Sequence, residues 1–205
     1  MLILVRHGQS EANAAGLLVG RSDSALTELG VVQAGRVGAA LAGELASGSR
    51  AVRIISSPLV RARRTAEIVA GCIGEAAGAS LKIEIEDRLI ELDYGDLDGL
   101  RPVDLARGVW AEWRADPSFR PPGGETLPEL HDRLLPFWAS VAAEAAAGDV
   151  IAVTHVSPIK AAVAWVLGAG PELSWKLSLG VASITRVSTS GPAPSLVTFG
   201  EMSHL

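Results

Sequence analysis

The chain has 205 residues, 48% of them hydrophobic, one cysteine and a formal net charge of -5. This length and composition suit one domain with a substantial core and exclude disorder as a description of the whole, while the acidic balance argues against a nucleic-acid-binding face. The lone Cys72 excludes an intrachain disulfide framework and a multi-cysteine metal site, and reads as helix packing.

In chain order, Leu2-Ile3-Leu4-Val5 reads as a short strand buried on both faces, stopped by Arg6-His7-Gly8. No basic segment precedes it as in a secretory signal. Thr27 is the expected N-cap of an amphipathic helix carrying Val31, Val32, Val37, Leu41 and Leu45 and ending near Ser47-Gly48. Val52 to Ser56 is a second buried strand, and Ser57-Pro58 opens a helix that stops in the glycine-rich stretch from Gly74 to Gly78. Leu81 to Ile85 alternates apolar and charged residues, as an edge strand does. Asp87 to Gly124 is a long connection with one short helix near Val103-Trp113. Glu125 to Ala147 is a long helix, and Val150 to Thr154 a third buried strand. Ser157-Pro158 reads as N-cap and first-turn proline of a helix running to Leu167. Strands follow at Ala182-Val187 and Ser195-Phe199. No run approaches the ~18 uncharged apolar residues of a membrane span, so a cytoplasmic protein without a membrane partner is expected. Strands alternating with helices predict an α/β fold: a three-layer α/β/α sandwich on a mostly parallel central sheet, one domain over residues 1–205.

Three chemistry-bearing residues follow predicted buried strands: His7 the first, Arg61 the second, His155 the third. In a parallel sheet those strand ends share one edge, where ligands bind. Arginine is a forked donor suited to phosphate, and histidine a nucleophile or base near neutral pH. Cations and imidazoles gathered in one pocket repel unless an anion sits among them, so a bound phosphate group is the economical reading. In isolation, Arg6-His7-Gly8 also reads as a strand end in solvent.

Leu4-Val5-Arg6-His7-Gly8-Gln9-Ser10-Glu11-Ala12-Asn13 resembles the signature of the histidine phosphatase superfamily, the phosphoglycerate mutase-like clan. The segments Gly20 to Gly30, Ser57 to Ala66, Glu91 to Gly95 and Val153 to His155 resemble its further blocks in order. The resemblance implies the phosphoglycerate mutase-like fold and a nucleophilic His7. Arg6, Arg61, Asn13 and His155 would hold the phosphate oxygens and Glu91 would be the general acid. It extends the substrate-binding set to Ser10, Gly20, Arg21 and the Val156 amide, with no metal and no cofactor. Two guanidiniums suit the dispersed charge of a transferring phosphoryl group and should keep His7 neutral. Val156-Ser157 stand where many members have two glycines, and Lys160 replaces a frequent arginine. Thr154 to Lys160 resembles the phosphatase half of actinobacterial proteins that join ribonuclease H to an α-ribazole phosphatase-like domain.

The compact stretch from Glu91 to Gly124, with Pro121-Pro122-Gly123-Gly124-Glu125, resembles the phosphatase branch. The expectation is a phosphomonoester hydrolase acting on a small phosphorylated metabolite. A cofactor-dependent phosphoglycerate mutase is the first alternative and a noncatalytic phospholigand-binding domain the second. Residues 92–124 are expected to form part of the active-site cap. Within it Trp110, Trp113 and Phe119 either face the leaving group or pack the segment down, and Leu18 and Val19 line the mouth. Asp93, Asp96 and Asp98 read as a solvated turn around Gly95 and Gly99. Arg63 and Arg64 read as an exposed helix face, His131 as a surface or capping group, and His204 as part of a poorly ordered tail. A homodimer is an admitted assembly; nothing in the sequence decides it.

Overall fold

A computed structural model describes residues 1–45, 52–105 and 107–205. Its strands are β1 (Leu2–Arg6), β2 (Val52–Ser56), β3 (Ile83–Ile85), β4 (Asp149–Thr154), β5 (Ile184–Ser188) and β6 (Ser195–Glu201). They form one sheet in the order β3-β2-β4-β1-β5-β6. The first four in that order run parallel, and β5 and β6 close one side antiparallel. The helices are α1 (Glu11–Ala14), α2 (Glu28–Leu45), α3 (Val60–Ala77), α4 (Arg107–Ala115), α5 (Leu127–Ala147) and α6 (Val156–Leu167). None of the described helices is long and apolar enough to cross a membrane.

The all-apolar β1 is explained by layers on both sides of it. Leu2 and Leu4 face α5 and α6, packing with Leu134, Phe137, Trp138 and Ile159. Ile3 and Val5 turn to the other face, against Val37 and Leu41 of α2 and Ala66 and Val69 of α3. Alternate residues of one strand thus enter two cores, as period-two geometry requires.

Helix starts depart from expectation in two places. Thr27 does cap α2, its Oγ1 accepting from the Gly30 amide at 3.0 Å. However, α3 begins at Val60, after Leu59, and α6 begins at Val156 with His155 in the cap position. Ser157 is therefore inside the first turn of α6, because its amide and that of Val156 find an acceptor in a side chain from another segment, Glu91. The buried face of α2 is in part the expected one, with Val37 and Leu41 fully buried, but Val31 and Val32 are 38% and 52% exposed, and Gly30, Ala34, Gly38 and Ala42 complete the face. A Cβ on Gly38 would lie 2.8 Å from the Cys72 sulfur, so the α2–α3 contact depends on the missing side chain. Cys72 is a packing residue, as expected. The expected end of α2 at Ser47-Gly48 lies outside the described residues.

Short elements escaped the sequence reading: α1, and 3-10 turns at Pro102–Asp104 and Pro171–Lys176. The C-terminal tail is not loose, since the His204 ring nitrogen Nε2 lies 2.9 Å from the Ala182 carbonyl. Ala182 itself adopts a left-handed backbone (φ 55°) and donates its amide to the His7 carbonyl at 2.9 Å, bracing the end of β1.

Candidate active site

β1, β2 and β4 are neighbours and parallel, so the residues after them emerge on one edge of the sheet. Gly8 lets the chain turn there. A Cβ at this position would meet the Gly30 carbonyl at 2.3 Å, and its amide donates to Thr65 Oγ1 at 3.1 Å. Thr65 in turn donates to the Arg61 carbonyl at 2.8 Å, which ties the start of α3 to the end of β1.

His7 is buried, with Nδ1 2.7 Å from the Gly8 carbonyl. That bond places the ring proton on Nδ1 and leaves the Nε2 lone pair outward. Arg61, fully buried, donates from Nε to that Nε2 at 3.3 Å. Its other nitrogens are held by the carbonyls of Ser22 (2.9 Å) and Gly20 (2.7 Å). The His155 ring centroid is 5.1 Å from that of His7. His155 Nε2 lies 2.7 Å from Ser57 Oγ, which also accepts from the Leu59 amide. The other ring nitrogen of His155, Nδ1, has no partner within the protein. Arg6 donates to the Leu179 carbonyl at 2.5 Å, and its buried Nε is also unpartnered.

Burial, reinforced by Arg6 and Arg61, holds His7 well below its ordinary value near 6.5. Burial does the same to His155, helped by His7 and the same two guanidiniums. Both imidazoles are neutral at physiological pH. Unfolded histidines bind protons more readily than these, so their contribution to stability is complete above the unfolded value of 6.5 and is lost as pH falls through the lowered folded values. Urea midpoints should drop between about pH 7.5 and 5.5, and drop less in His155→Asn. Equal slopes in the two proteins would contradict this protonation state.

Glu91 is buried with both oxygens on backbone amides. Oε1 accepts from Leu92 (2.8 Å) and Ser157 (3.2 Å), and Oε2 from Val156 (3.1 Å). The carboxylate thus caps the amino end of α6, where the helix dipole favours negative charge. Burial nonetheless raises its pKa, outweighing the bonds from Leu92 and Ser157 and the pull of Arg61 and Arg6. The Val156 amide, expected to meet phosphate, is turned to Glu91 instead.

The remaining expected site residues are placed around this cluster. Ser10 and Asn13 form a capping box on α1. Asn13 Oδ1 accepts from the Ser10 amide (3.2 Å) and hydroxyl (3.0 Å), so its NH2 is the end left to donate. Gly20 contributes its carbonyl to Arg61 and its amide to Asp98. Arg21 pairs with Asp93 at 3.1 Å and Glu125 at 3.4 Å, turned to carboxylates rather than to the imidazoles. Asp93 and Asp98 are not merely a solvated turn, for Asp98 also holds the Ser22 amide and hydroxyl. Leu18 pairs through its backbone with Gly99 and Leu100. Arg63 and Arg64 are exposed, and His131 is half-buried on α5.

Sequence reasoning missed Arg133. Its guanidinium bonds the carbonyls of Arg88, Ile90 (2.8 Å) and Glu91 (3.2 Å) and pairs with Glu125 at 2.7 Å. On the α5 pattern it reads as one more exposed charge; only the fold shows that it braces the chain carrying Glu91. Arg133→Met should lower stability by about 2 kcal/mol, read from the urea midpoint, since several charge-assisted bonds to backbone carbonyls and the pair with Glu125 are lost. Among the described residues no group of three or more His, Cys, Asp or Glu side chains is arranged to hold a metal ion.

This geometry has counterparts in known proteins. A family model described as the histidine phosphatase superfamily (branch 1) matches residues 2–202. A Sinorhizobium fredii protein named 2,3-bisphosphoglycerate-dependent phosphoglycerate mutase is 36% identical over 211 residues, covering 98% of this chain and 97% of that one. Bifunctional protein Rv2228c of Mycobacterium tuberculosis is 32% identical over 187 residues, covering 90% of this chain but 49% of its own length. The structure of mycobacterial glucosyl-3-phosphoglycerate phosphatase Rv2419c complexed with VO3 superposes with a TM-score of 0.82 at 29% identity, covering 98% of this chain and 99% of that one.

Proposed function

The chain belongs to the histidine phosphatase superfamily (branch 1), and on that premise we propose that it hydrolyses small phosphomonoesters through a phosphohistidine. The observation that carries this reading is the neutral His7 imidazole, Nδ1 anchored on Gly8 and Nε2 facing the Arg61 guanidinium. Arg61 Nε moves its hydrogen bond from Nε2 to a phosphoryl oxygen as substrate enters, freeing the lone pair. Arg6, the His155 Nδ1–H and the Asn13 amide supply the other donors, so dispersed negative charge meets fixed positive charge.

Nε2 then attacks phosphorus, the P–O ester bond breaks, and the leaving oxygen takes the proton of Glu91. Burial keeps that proton available, and the approaching phosphate dianion raises its affinity further by like-charge repulsion. In the second half, water attacks the phosphohistidine and gives a proton to the Glu91 carboxylate. The N–P bond breaks, the electron pair returns to Nε2, and inorganic phosphate leaves. The cap formed by residues 92–124 is short, which favours entry of that water.

The 36% identical relative named a mutase supports phosphoryl exchange between phosphoglycerates as the second reading. A noncatalytic binding domain accounts less well for the retention of both His7 and Glu91. Phosphate release from a panel of sugar, nucleoside and glycerate monoesters tests the choice. Release from one or more is expected; exchange dependent on 2,3-bisphosphoglycerate with no net release would replace hydrolase by mutase.

A further inference from the structure

Arg61 must hold its guanidinium in place before any phosphate arrives. Its Nε–H meets His7 Nε2, while Nη1 and Nη2 donate to the carbonyls of Ser22 and Gly20 at 2.9 and 2.7 Å. Acceptors on two separate nitrogens fix the plane of the fork. Both carbonyls belong to a stretch, residues 20–22, that lies in no helix or strand. The fork is therefore only as well placed as this loop, and preorganised charge is what a phosphoryl-transfer site needs.

The loop is held by one carboxylate. Asp98 Oδ1 accepts from the Gly20 amide and the Ser22 hydroxyl, both at 2.9 Å, and Oδ2 from the Ser22 amide at 2.8 Å. These donors come from the same two residues whose carbonyls grip Arg61, and hydrogen bonds to an ionised acceptor are the strong ones. Asp98 is itself set by backbone pairing. The Gly99 amide donates to the Leu18 carbonyl at 2.9 Å, and the Leu18 amide to the Leu100 carbonyl at 2.8 Å. Beyond the loop, Asp23 Oδ1 accepts from the Val60 amide at 2.8 Å, at the start of the helix that carries Arg61. Gly20 has no room for a side chain: a Cβ there would lie 3.0 Å from the Leu92 carbonyl, so the loop rests on the chain that follows Glu91. Burial lowers the pKa of Arg61, and Glu91, Asp23 and Asp98 oppose that effect.

We propose that Asp98 is a positioning residue for the phosphate grip: by clamping Gly20 and Ser22 it fixes the two carbonyls that orient the Arg61 guanidinium. It touches no substrate and acts only through that arginine. The proposal rests on Arg61 as a phosphate ligand, as in the hydrolase reading, and adds the group that holds the ligand ready.

The test is a double-mutant cycle of Asp98→Ala and Arg61→Ala. It is read as Kd for inorganic phosphate by calorimetry and as kcat/KM for 4-nitrophenyl phosphate, beside thermal melts. In the wild-type background Asp98→Ala should weaken phosphate binding and lower kcat/KM at least about tenfold, since a misplacement of ~1 Å can cost ~10²-fold. In the Arg61→Ala background the same change should alter either quantity less than about twofold, because the group it acts through is gone. Asp98→Asn, which keeps one oxygen for the Gly20 amide and the Ser22 hydroxyl, should lose less than the alanine variant. It carries the cycle, on the same criteria, where the alanine variant does not fold. Equal losses in both backgrounds would overturn the proposal, as a general destabilisation does not depend on Arg61. Phosphate binding unchanged by Asp98→Ala would overturn it as well. If the wild type releases no phosphate from any ester while the calorimetric cycle shows the coupling, the hydrolase reading falls and the positioning role stands.

Discussion

Replacing His7 by alanine is expected to lower turnover roughly 10³- to 10⁶-fold, the range spanned when a covalent nucleophile is removed from a site whose other groups remain. The effect should fall on kcat far more than on KM, because Arg6, Arg61 and His155 still grip the phosphate. The variant should remain folded, since the two apolar cores are built by Leu4, Val5 and their partners and do not include His7. Steady-state phosphate release measured beside a thermal melt separates loss of chemistry from loss of fold. Retained turnover in a folded His7→Ala protein would remove the nucleophile from the account.

The second large effect is at Glu91. Glu91→Gln keeps the shape but carries no transferable proton, and should cost about 10²- to 10⁴-fold on alkyl phosphates. On 4-nitrophenyl phosphate the loss in the first step should be much smaller, because that leaving group departs as a stable anion. The pH profile gives the sign independently. Burial raises Glu91 above its ordinary value of 4.5, so the protonated, active form is lost as pH rises through that raised value. Wild-type kcat/KM should show this descending limb, and Glu91→Gln should not. The second ionisation of the substrate, near pH 6 for a phosphomonoester, bends both profiles alike and cancels in their ratio. His7 adds no ascending limb near 6.5, because burial and the two guanidiniums hold it well below that value. Identical profiles for the two proteins would exclude Glu91 as the titrating acid.

Much of this site is legible because strand ends and chemistry coincide. Leu2 to Val5 is apolar at every position, which only a strand covered on both faces tolerates, so Arg6 and His7 had to emerge at the sheet edge. The same logic places Arg61 after β2 and His155 after β4. What the sequence does not disclose is decided by long-range partners. Ser157 has the local look of an N-cap, yet the helix starts at Val156 because Glu91, 65 residues away in the chain, supplies the acceptor. Val31 and Val32 fit an apolar stripe, but the glycines and alanines of α2 permit a closer approach to α3 on another face. Arg133 looks like a solvated charge and Arg21 like a substrate-binding residue, and only in three dimensions do they meet Glu125 and brace the acid-bearing loop. Trp175 lies in a 3-10 turn with no periodicity to reveal it, so its edge-on contact with Trp113 is a property of the fold rather than of any motif.

The most direct test of the central claim is to trap the covalent enzyme. Brief mixing with a hydrolysed monoester, quenching in alkali and peptide mass spectrometry should find one phosphoryl group, on the peptide containing His7, linked through nitrogen and absent from His7→Ala. A phosphoryl group on His155 or on a serine, or turnover with no phosphoenzyme under conditions that trap a phosphohistidine in a related enzyme, would contradict the account.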